Sequence, residues 1–415
     1  MKGILVILDG LGDLPNKQLG DKTPLEAAET PNLNFLANRG EMGYMYPVKP
    51  GFIPSSDEAI VSLFGNEQLS STRGQLEANG ADLKLTRGDL ALRTNFATID
   101  NIKNGNIIDR RAGRTLTTYE AEILSKELNK KINLPIPFEF ISTIQHRGVL
   151  VFKGGFSDSI SDNDVSNYKQ GRFFNENKVT LCKPLNESEN AQYTANVVNE
   201  FIAQAYEILN NHSINQERKR KGLMPANYIL LRNPGIEIPK LKFYRNWLSI
   251  VYMPLEIGFS RLSGMKPFTF QYPPLKKLDV YENLYEGLKM ACNFSIKTIE
   301  KQHKNFDYAY IHIKETDMPG HDNKPFEKKQ MIEFIDQTLF KFLRKFAPPH
   351  EIKVCITADH STPCYLKAHS DDPVPLLLYN NSIPKEKKFC EKNAIKGSLG
   401  KIYGNDLLKV IGFNK

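Results

Sequence analysis

The chain is poor in cysteine and has no long hydrophobic run. Its 415 residues include only five cysteines, without regular spacing and without a Cys-X-X-Cys pair. This excludes a disulfide scaffold and is typical of a reduced cytoplasmic protein. The apolar run at residues 4–8 stops at Asp9, and no segment approaches the roughly 20 apolar residues of a membrane helix. We therefore expect a cytoplasmic protein with no signal peptide and no membrane partner.

Neither charge sign dominates strongly enough to dictate a partner. Lys plus Arg is 55 and Asp plus Glu is 47, a formal net charge of +8, which suits anionic substrates without requiring nucleic acid. The basic run at residues 218–221 falls in a predicted linker and has no interleaved aromatic residues. We interpret it as a solvated surface, with nucleic-acid binding as the weaker alternative. The sequence leaves the oligomeric state open.

The order of apolar patterns predicts an α/β protein with an insertion. Residues 3–8 form an aliphatic run typical of a buried parallel strand. Strand and helix patterns alternate again after about residue 240, whereas the intervening segment has short alternating runs and one long amphipathic helix at 191–210. We predict an α/β/α sandwich core with a mostly parallel sheet at 1–66 and 236–415. A smaller α+β domain would be inserted at 67–235.

Acidic and imidazole side chains cluster just after predicted strands. The set comprises Asp9, Asp317, His321, Asp359, His360 and His369. Ligands of open parallel sheets collect at the carboxyl ends of the strands, so these side chains should converge. Three carboxylates with three imidazoles need a cation, and mixed oxygen and nitrogen donors suit Mn²⁺, Zn²⁺ or iron. The donors are too many for one tetrahedral ion, which favours two metals and phosphoryl transfer.

A pair of serines supplies a candidate nucleophile. Ser55 and Ser56 precede a predicted helix, where backbone N–H groups and the helix dipole favour a phosphate or an alkoxide. The same pair also makes a good N-cap. A second candidate feature is Asp109-Arg110-Arg111-Ala112-Gly113-Arg114, whose three arginines around a glycine favour anion binding over a solvated surface.

Together these segments resemble the archaeal-type 2,3-bisphosphoglycerate-independent phosphoglycerate mutases of the alkaline phosphatase superfamily. The resemblance covers nearly the whole chain, and several of its segments are long and specific. They are Asp9 to Asp13, Lys22 to Ala28, Thr30 to Leu33, Ser56-Asp57, Asn95 to Thr98, Asp109 to Arg114, Gly264-Met265, Thr316-Asp317, Gly320 to Asp322, Asp359 to Cys364, His369-Ser370 and Asp372 to Pro375.

The resemblance implies an alkaline-phosphatase-like core, two divalent metals and a phosphoserine. One ion would be held by Asp9, Ser56, Asp359 and His360, and the other by Asp317, His321 and His369. Mn²⁺ is the expected metal, with Mg²⁺, Co²⁺ or Zn²⁺ as alternatives. Ser56 would be phosphorylated during interconversion of 3-phosphoglycerate and 2-phosphoglycerate, a step of glycolysis and gluconeogenesis. Ser55 stands where the family usually has glycine, and Ser56 is preferred because it directly precedes Asp57.

The resemblance also implies a set of substrate-binding residues. The expected set is Arg110, Arg111, Arg114, Asp162, Asp164 and Arg261. The arginines would bind the carboxylate, and the two aspartates would contact glycerate hydroxyls. The chain departs from the family at Ile60 and at Val165-Ser166, where histidines are usual. These departures concern substrate affinity or rate rather than the metal ligands.

Two other classes of function compete with this interpretation. Another metal-dependent phosphatase or phosphomutase of the same superfamily would share the metal residues, but the arginine cluster favours a carboxylated substrate. A degenerate binding or regulatory protein would not need the complete set of seven metal-site residues.

Overall fold

The structure is a computed structural model that describes residues 1–67, 73–164, 168–169, 172–173, 177–275, 279–383 and 387–413. Within these residues, no helix has both the length and the apolar character needed to cross a membrane. Residues 165–166, where one family histidine is replaced, lie outside the described part of the chain.

An eight-stranded, mostly parallel sheet forms the larger half of the molecule. Its strand order is β11-β10-β12-β1-β13-β14-β2-β15, and only the two pairings of β14 are antiparallel. The strands are β1 Gly3–Leu8, β2 Gly40–Tyr46, β10 Trp247–Ile250, β11 Lys266–Phe268, β12 Tyr308–Ile313, β13 Lys353–Thr357, β14 Val374–Tyr379 and β15 Gly400–Tyr403. Strand β1 is fully buried, as its aliphatic sequence predicts, and lies between β12 and β13.

A second, antiparallel sheet is built from the middle of the chain. Its path is β4-β3-β6-β5, with β9 also paired to β3. The strands are β3 Leu90–Ile99, β4 Ile107–Asp109, β5 Phe138–Ser142, β6 Arg147–Phe152 and β9 Tyr228–Gly235; a separate hairpin joins β7 Tyr168–Lys169 to β8 Arg172–Phe173. Residues 90–231 enclose a hydrophobic core of their own, separate from the core around the large sheet.

Helices cover both sheets. They are α1 Pro24–Ala27, α2 Pro31–Asn38, α3 Ser56–Leu63, α4 Arg73–Gly80, α5 Thr118–Lys131, α6 Glu189–Asn211, α7 Ser213–Arg220, α8 Pro254–Leu262, α9 Val280–Gln302, α10 Asp317–His321, α11 Pro325–Ile335, α12 Lys341–Phe346, α13 Glu391–Ala394 and α14 Leu407–Ile411. The expected fold class, an α/β sandwich with a mostly parallel sheet and a smaller α+β part, is confirmed.

Helix α4 joins the two halves. It lies within the segment assigned to the insertion, yet Leu76 belongs to the core of the large sheet. A Cβ atom at Gly80 would lie 1.8 Å from the Pro254 carbonyl, and one at Gly258 would lie 1.8 Å from the Leu76 carbonyl. These glycines allow α4 and α8 to approach closely. The domain borders at 66/67 and 235/236 stay predictions.

One local prediction is correct in type and a second is wrong. The apolar spacing at 328–346 predicts an amphipathic helix, and the segment is helical, with a π-turn at Asp336–Phe340 between α11 and α12. The Asp336 carboxylate there accepts the backbone N–H groups of Asn32 and Leu33. The basic run at 218–221 is not a linker, because its first three residues end α7. Arg218 is 2 % exposed, so it is not part of a solvated surface.

Candidate active site

The carboxyl ends of three adjacent parallel strands place the predicted acidic residues together. Asp9 follows β1, Asp359 follows β13, and Asp317 begins α10 shortly after β12. The backbone N–H of Gly10 donates to Asp359 Oδ1 at 3.1 Å, which links the first two strand ends directly. The strand order thus converts a separation of some 350 residues in sequence into one site.

Buried carboxylates form the first donor cluster. Oxygens of Asp9 and Asp359 and a nitrogen of His312 lie within 4.8 Å of one another, and all three residues are buried. His312 Nε2 is 3.6 Å from Asp9 Oδ2 and 3.7 Å from Asp359 Oδ2. Sequence reasoning missed His312, although it stands on β12 near the same sheet edge.

The second donor cluster comprises Asp317, His360 and His369. His321 lies beside it, with Nε2 3.2 Å from Asp317 Oδ2. The His360 and His369 rings stack with centroids 3.6 Å apart. His360 Nε2 is also 3.3 Å from Asp9 Oδ1 and 3.4 Å from Asp359 Oδ2, so this imidazole lies between the two clusters. All six acidic and imidazole side chains predicted from the sequence are therefore neighbours.

Hydrogen bonds to Nδ1 orient the imidazoles. His321 Nδ1 donates to the Lys367 carbonyl at 3.1 Å, and His369 Nδ1 donates to the Pro54 carbonyl at 2.8 Å. His360 Nδ1 lies 3.0 Å from Thr362 Oγ1, and His312 Nδ1 lies 2.7 Å from the Tyr310 hydroxyl. Anchoring one ring nitrogen in this way is usual for histidines that bind metals through the other.

Ser56 is the serine that faces the donor clusters. Its Oγ lies 3.3 Å from His360 Nε2, and the residue is 9 % exposed. Ser55 is the N-cap of α3, and both its backbone N–H and its hydroxyl donate to the Glu58 carboxylate. The sequence left open which serine caps the helix and which faces the site. In the structure Ser55 caps α3 and Ser56 faces the donor clusters.

Lys314 is a further member that sequence reasoning missed. Its ammonium group contacts Asp9 Oδ2 and donates to Glu256 Oε1 at 2.8 Å. Burial disfavours the charged form, but the carboxylates of Asp9 and Glu256 outweigh it and hold the pKa of Lys314 above its ordinary value. The signal was present in the sequence, because Lys314 directly follows β12 as Asp9 follows β1.

The electrostatics of the first cluster fit a cation. Burial raises the pKa of the Asp359 carboxyl to about 7, and the negative charge of Asp9 adds to this effect. Asp9 Oδ1, Asp359 Oδ2 and His312 Nε2 are buried atoms without a hydrogen-bond partner among the described residues. Burying polar atoms without a partner costs free energy, and a bound cation would remove this cost. Their mixed oxygen and nitrogen chemistry suits a divalent transition metal.

A cleft between the two halves opens onto the clusters. Its walls include Asp9, Lys314 and Asp317 from the large half, and Arg111, Arg114, Gln145, His146 and Arg147 from the smaller half. The cleft therefore combines candidate metal ligands with basic groups, as an anionic substrate requires.

Three other predicted substrate residues, Arg110, Asp162 and Asp164, bond to residues of the smaller half. Arg110 donates to Asp164 Oδ1 at 3.2 Å and to Asn177, and Asp164 also contacts Arg232. Asp162 Oδ1 accepts the backbone N–H of Asn233 at 2.8 Å. Their roles toward substrate stay predictions.

Two of the predicted arginines make contacts across the predicted domain borders. Arg114 forms a bidentate pair with Asp322 of the large half, at 2.5 and 2.9 Å. Arg261 donates to the Asn79 carbonyl and pairs with Asp82, and it is not part of the cleft wall.

Two family models match parts of this chain. A family model described as 2,3-bisphosphoglycerate-independent phosphoglycerate mutase matches residues 37–215, and one described as the metalloenzyme superfamily matches 285–415. The family match and the donor clusters together indicate divalent metals.

Relatives and solved structures extend the match to the whole chain. Proteins of that mutase name from Thermococcus gammatolerans and Pyrococcus furiosus are each 38% identical over 99% of this chain and 96% of their own length. A solved Pyrococcus horikoshii protein has a TM-score of 0.73 at 29% identity, covering 100% of this chain and 98% of its own. A solved cofactor-independent phosphoglycerate mutase from Thermoplasma acidophilum has a TM-score of 0.58 at 29% identity. The match covers 100% of this chain and 99% of that protein's chain. The chain belongs to the 2,3-bisphosphoglycerate-independent phosphoglycerate mutase family.

Proposed function

We propose that this chain interconverts 3-phosphoglycerate and 2-phosphoglycerate through a phosphoserine on Ser56. Two divalent ions, preferably Mn²⁺, would occupy the two donor clusters. The observation that carries the proposal is the position of Ser56 Oγ, 3.3 Å from the imidazole that lies between these clusters. The cleft beside them is lined by arginines, which suits a substrate with a phosphate and a carboxylate.

The transfer uses Ser56 twice. When bound, the ions would lower the pKa of the serine hydroxyl and neutralise phosphate charge. Ser56 Oγ loses its proton and attacks phosphorus, the bond between phosphorus and the glycerate oxygen breaks, and that oxygen takes up a proton. Glycerate then turns in the cleft. Its other hydroxyl loses its proton and attacks the phosphoserine, the bond between phosphorus and Ser56 Oγ breaks, and Oγ takes up a proton, which regenerates Ser56.

Retention of glycerate distinguishes a mutase from a phosphatase. The intermediate must stay while the phosphoserine is shielded from water. The cleft wall from residues 144–147 and from Arg111 faces the metal-site half, and the Arg114–Asp322 pair joins the two halves at its edge. This arrangement supports a closed cleft during turnover.

A coupled assay tests the activity. Conversion of 3-phosphoglycerate to 2-phosphoglycerate should proceed without 2,3-bisphosphoglycerate, stop after chelation, and return with Mn²⁺. Metal analysis before and after chelation supplies a second readout. Release of inorganic phosphate without 2-phosphoglycerate would instead identify a phosphatase, and full turnover in a chain verified free of metal would refute the metal mechanism.

Ser56→Ala tests the nucleophile. Because the covalent step is lost with the hydroxyl, we expect a loss of about 10³-fold or more in kcat, with metal content and fold preserved. Ser55→Ala is the matched control, since Ser55 caps α3 and bonds Glu58. An inactive Ser55→Ala beside an active Ser56→Ala would mean that the wrong serine has been chosen.

A further inference from the structure

Arg147 is a cleft arginine whose side chain is held by few polar contacts. Among the described residues, its guanidinium makes one polar contact, with the Met253 sulfur at 3.7 Å. Arg114, which also lines the cleft, is paired with Asp322, and Arg110, outside the cleft wall, is paired with Asp164. Arg147 has no carboxylate at salt-bridge distance in the described part of the chain, although it is half-buried and lines the cleft. A half-buried guanidinium without a counter-ion is poised to bind an anion.

The backbone that carries Arg147 is fixed at both ends. Arg147 is the first residue of β6 and pairs in register with Asn95 of β3. Its N–H donates to the Ile144 carbonyl and its own carbonyl accepts from Thr143, which closes a tight turn through Gln145, at φ 55°. Side chains placed by sheet hydrogen bonds are held more firmly than side chains on loops.

The positive charge on this wall of the cleft comes from its arginines, because the neighbouring His146 is uncharged. His146 is 4 % exposed, and burial together with Arg147 and Arg111 holds the pKa of its imidazole well below the ordinary value. The ring is therefore neutral at pH 7. Like Arg147, Arg111 has no carboxylate at salt-bridge distance among the described residues, and it too lines the cleft.

We infer that Arg147 binds the carboxylate of the substrate, together with Arg111. This inference rests on the proposed function. The donor clusters that include Asp9 and Asp317 lie on one wall of the cleft, and their ions would take the phosphate, whereas the arginines lie on the wall formed by the smaller half. Two guanidinium forks match the two oxygens of a carboxylate. Arg147 would thus determine the preference for a carboxylated phosphate ester.

Two ligands that differ only in the carboxylate test this role. Calorimetry on the Mn²⁺-loaded Ser56→Ala chain, which cannot turn over, would compare 3-phosphoglycerate with glycerol 3-phosphate. Adding Arg147→Met should weaken 3-phosphoglycerate binding about 30-fold, and glycerol 3-phosphate binding less than about threefold. Arg147→Lys should recover part of the loss. Arg220→Met is the matched control in the same half, since Arg220 is exposed and pairs only locally with Glu217.

The outcomes separate this inference from the proposed function. An equal loss for both ligands would mean that Arg147 binds phosphate or supports the fold, and no loss for either would remove it from the site; both results overturn the inference. Absence of mutase activity in the unmodified chain would instead refute the proposed function, whatever Arg147 binds.

Discussion

Thr362 shows how one side chain can orient two candidate metal ligands from distant parts of the chain. Its hydroxyl donates to Asp317 Oδ1 at 2.7 Å and accepts from His360 Nδ1 at 3.0 Å. The backbone N–H of Thr362 is itself bonded to the Gly12 carbonyl. One hydroxyl therefore orients both the His360 imidazole and the Asp317 carboxylate, and so supports the geometry of the site.

Glu391 should make the stability of the protein depend on pH. Burial raises the pKa of its carboxyl to about 7, although Thr23 donates a hydrogen bond to it. Between pH 4.5 and 7 the folded state then binds more protons than the unfolded state, so the free energy of unfolding falls as pH rises. We expect Glu391→Gln to be more stable than the natural chain by about 2 kcal/mol at pH 8, and equal to it near pH 4.5.

Urea unfolding of both chains at several pH values measures this difference. The exposed Glu187→Gln provides the control, because its carboxyl stays in water in both states. A difference between Glu391→Gln and the natural chain that does not change with pH would contradict the assignment.

Helix α7 supports the loop that carries Arg111 and Arg114. From this helix the buried Arg218 donates to the Ala112 and Thr115 carbonyls and to the Thr115 hydroxyl. It also bonds the Glu120 carboxylate at the start of α5. Arg218, which the sequence pattern assigns to the surface, is thus buried and holds the loop that carries Arg111 and Arg114.

Arg218→Lys should loosen this loop. A lysine carries one ammonium group in place of the planar fork, so several of these carbonyls would lose their donor. We expect a loss of about 2–4 kcal/mol in stability together with a higher KM. Arg220→Lys is the control, two residues further along the same helix and exposed. Equal behaviour of the two variants in thermal unfolding and kinetics would show that Arg218 does not support the loop.

The two halves of the molecule are linked across the active-site cleft. Arg114 follows the second sheet, whereas Asp322 follows α10, directly after His321. The Asp322 carboxylate also accepts a hydrogen bond from the Tyr281 hydroxyl at 2.8 Å. The pair therefore ties the smaller half to the segment that carries one of the candidate metal ligands.

Arg114→Met should open this link and allow glycerate to escape. Water would then reach the phosphoserine, so more inorganic phosphate should be released for each 2-phosphoglycerate formed. Phosphate release and 2-phosphoglycerate formation are measured in the same reaction, with Arg220→Met as the control. Arg110→Ala and Arg111→Ala extend the series. An unchanged ratio in all three arginine variants would mean that these arginines do not retain the intermediate.

The sequence by itself determined the features that depend on short segments. The aliphatic run before Asp9 predicts a buried strand, and the strand at 353–357 places Asp359 and His360 at its end. Because parallel strands share one ligand-binding edge, the cluster could be expected before its geometry was known. The resemblance to the mutase family added the choice of Ser56.

The tertiary structure decided which of these residues touch and which basic groups face the cleft. His312 and Lys314 join Asp9 only because β12 is the neighbour of β1, a pairing between segments 300 residues apart. Likewise, the tertiary structure pairs Arg114 with Asp322 and bonds Arg218 to the Ala112 carbonyl. Arg147, by contrast, has no carboxylate at salt-bridge distance among the described residues. Local sequence patterns specify strands and helices, but pairings of this kind depend on strand order and on how two separate cores are joined, which no short segment encodes.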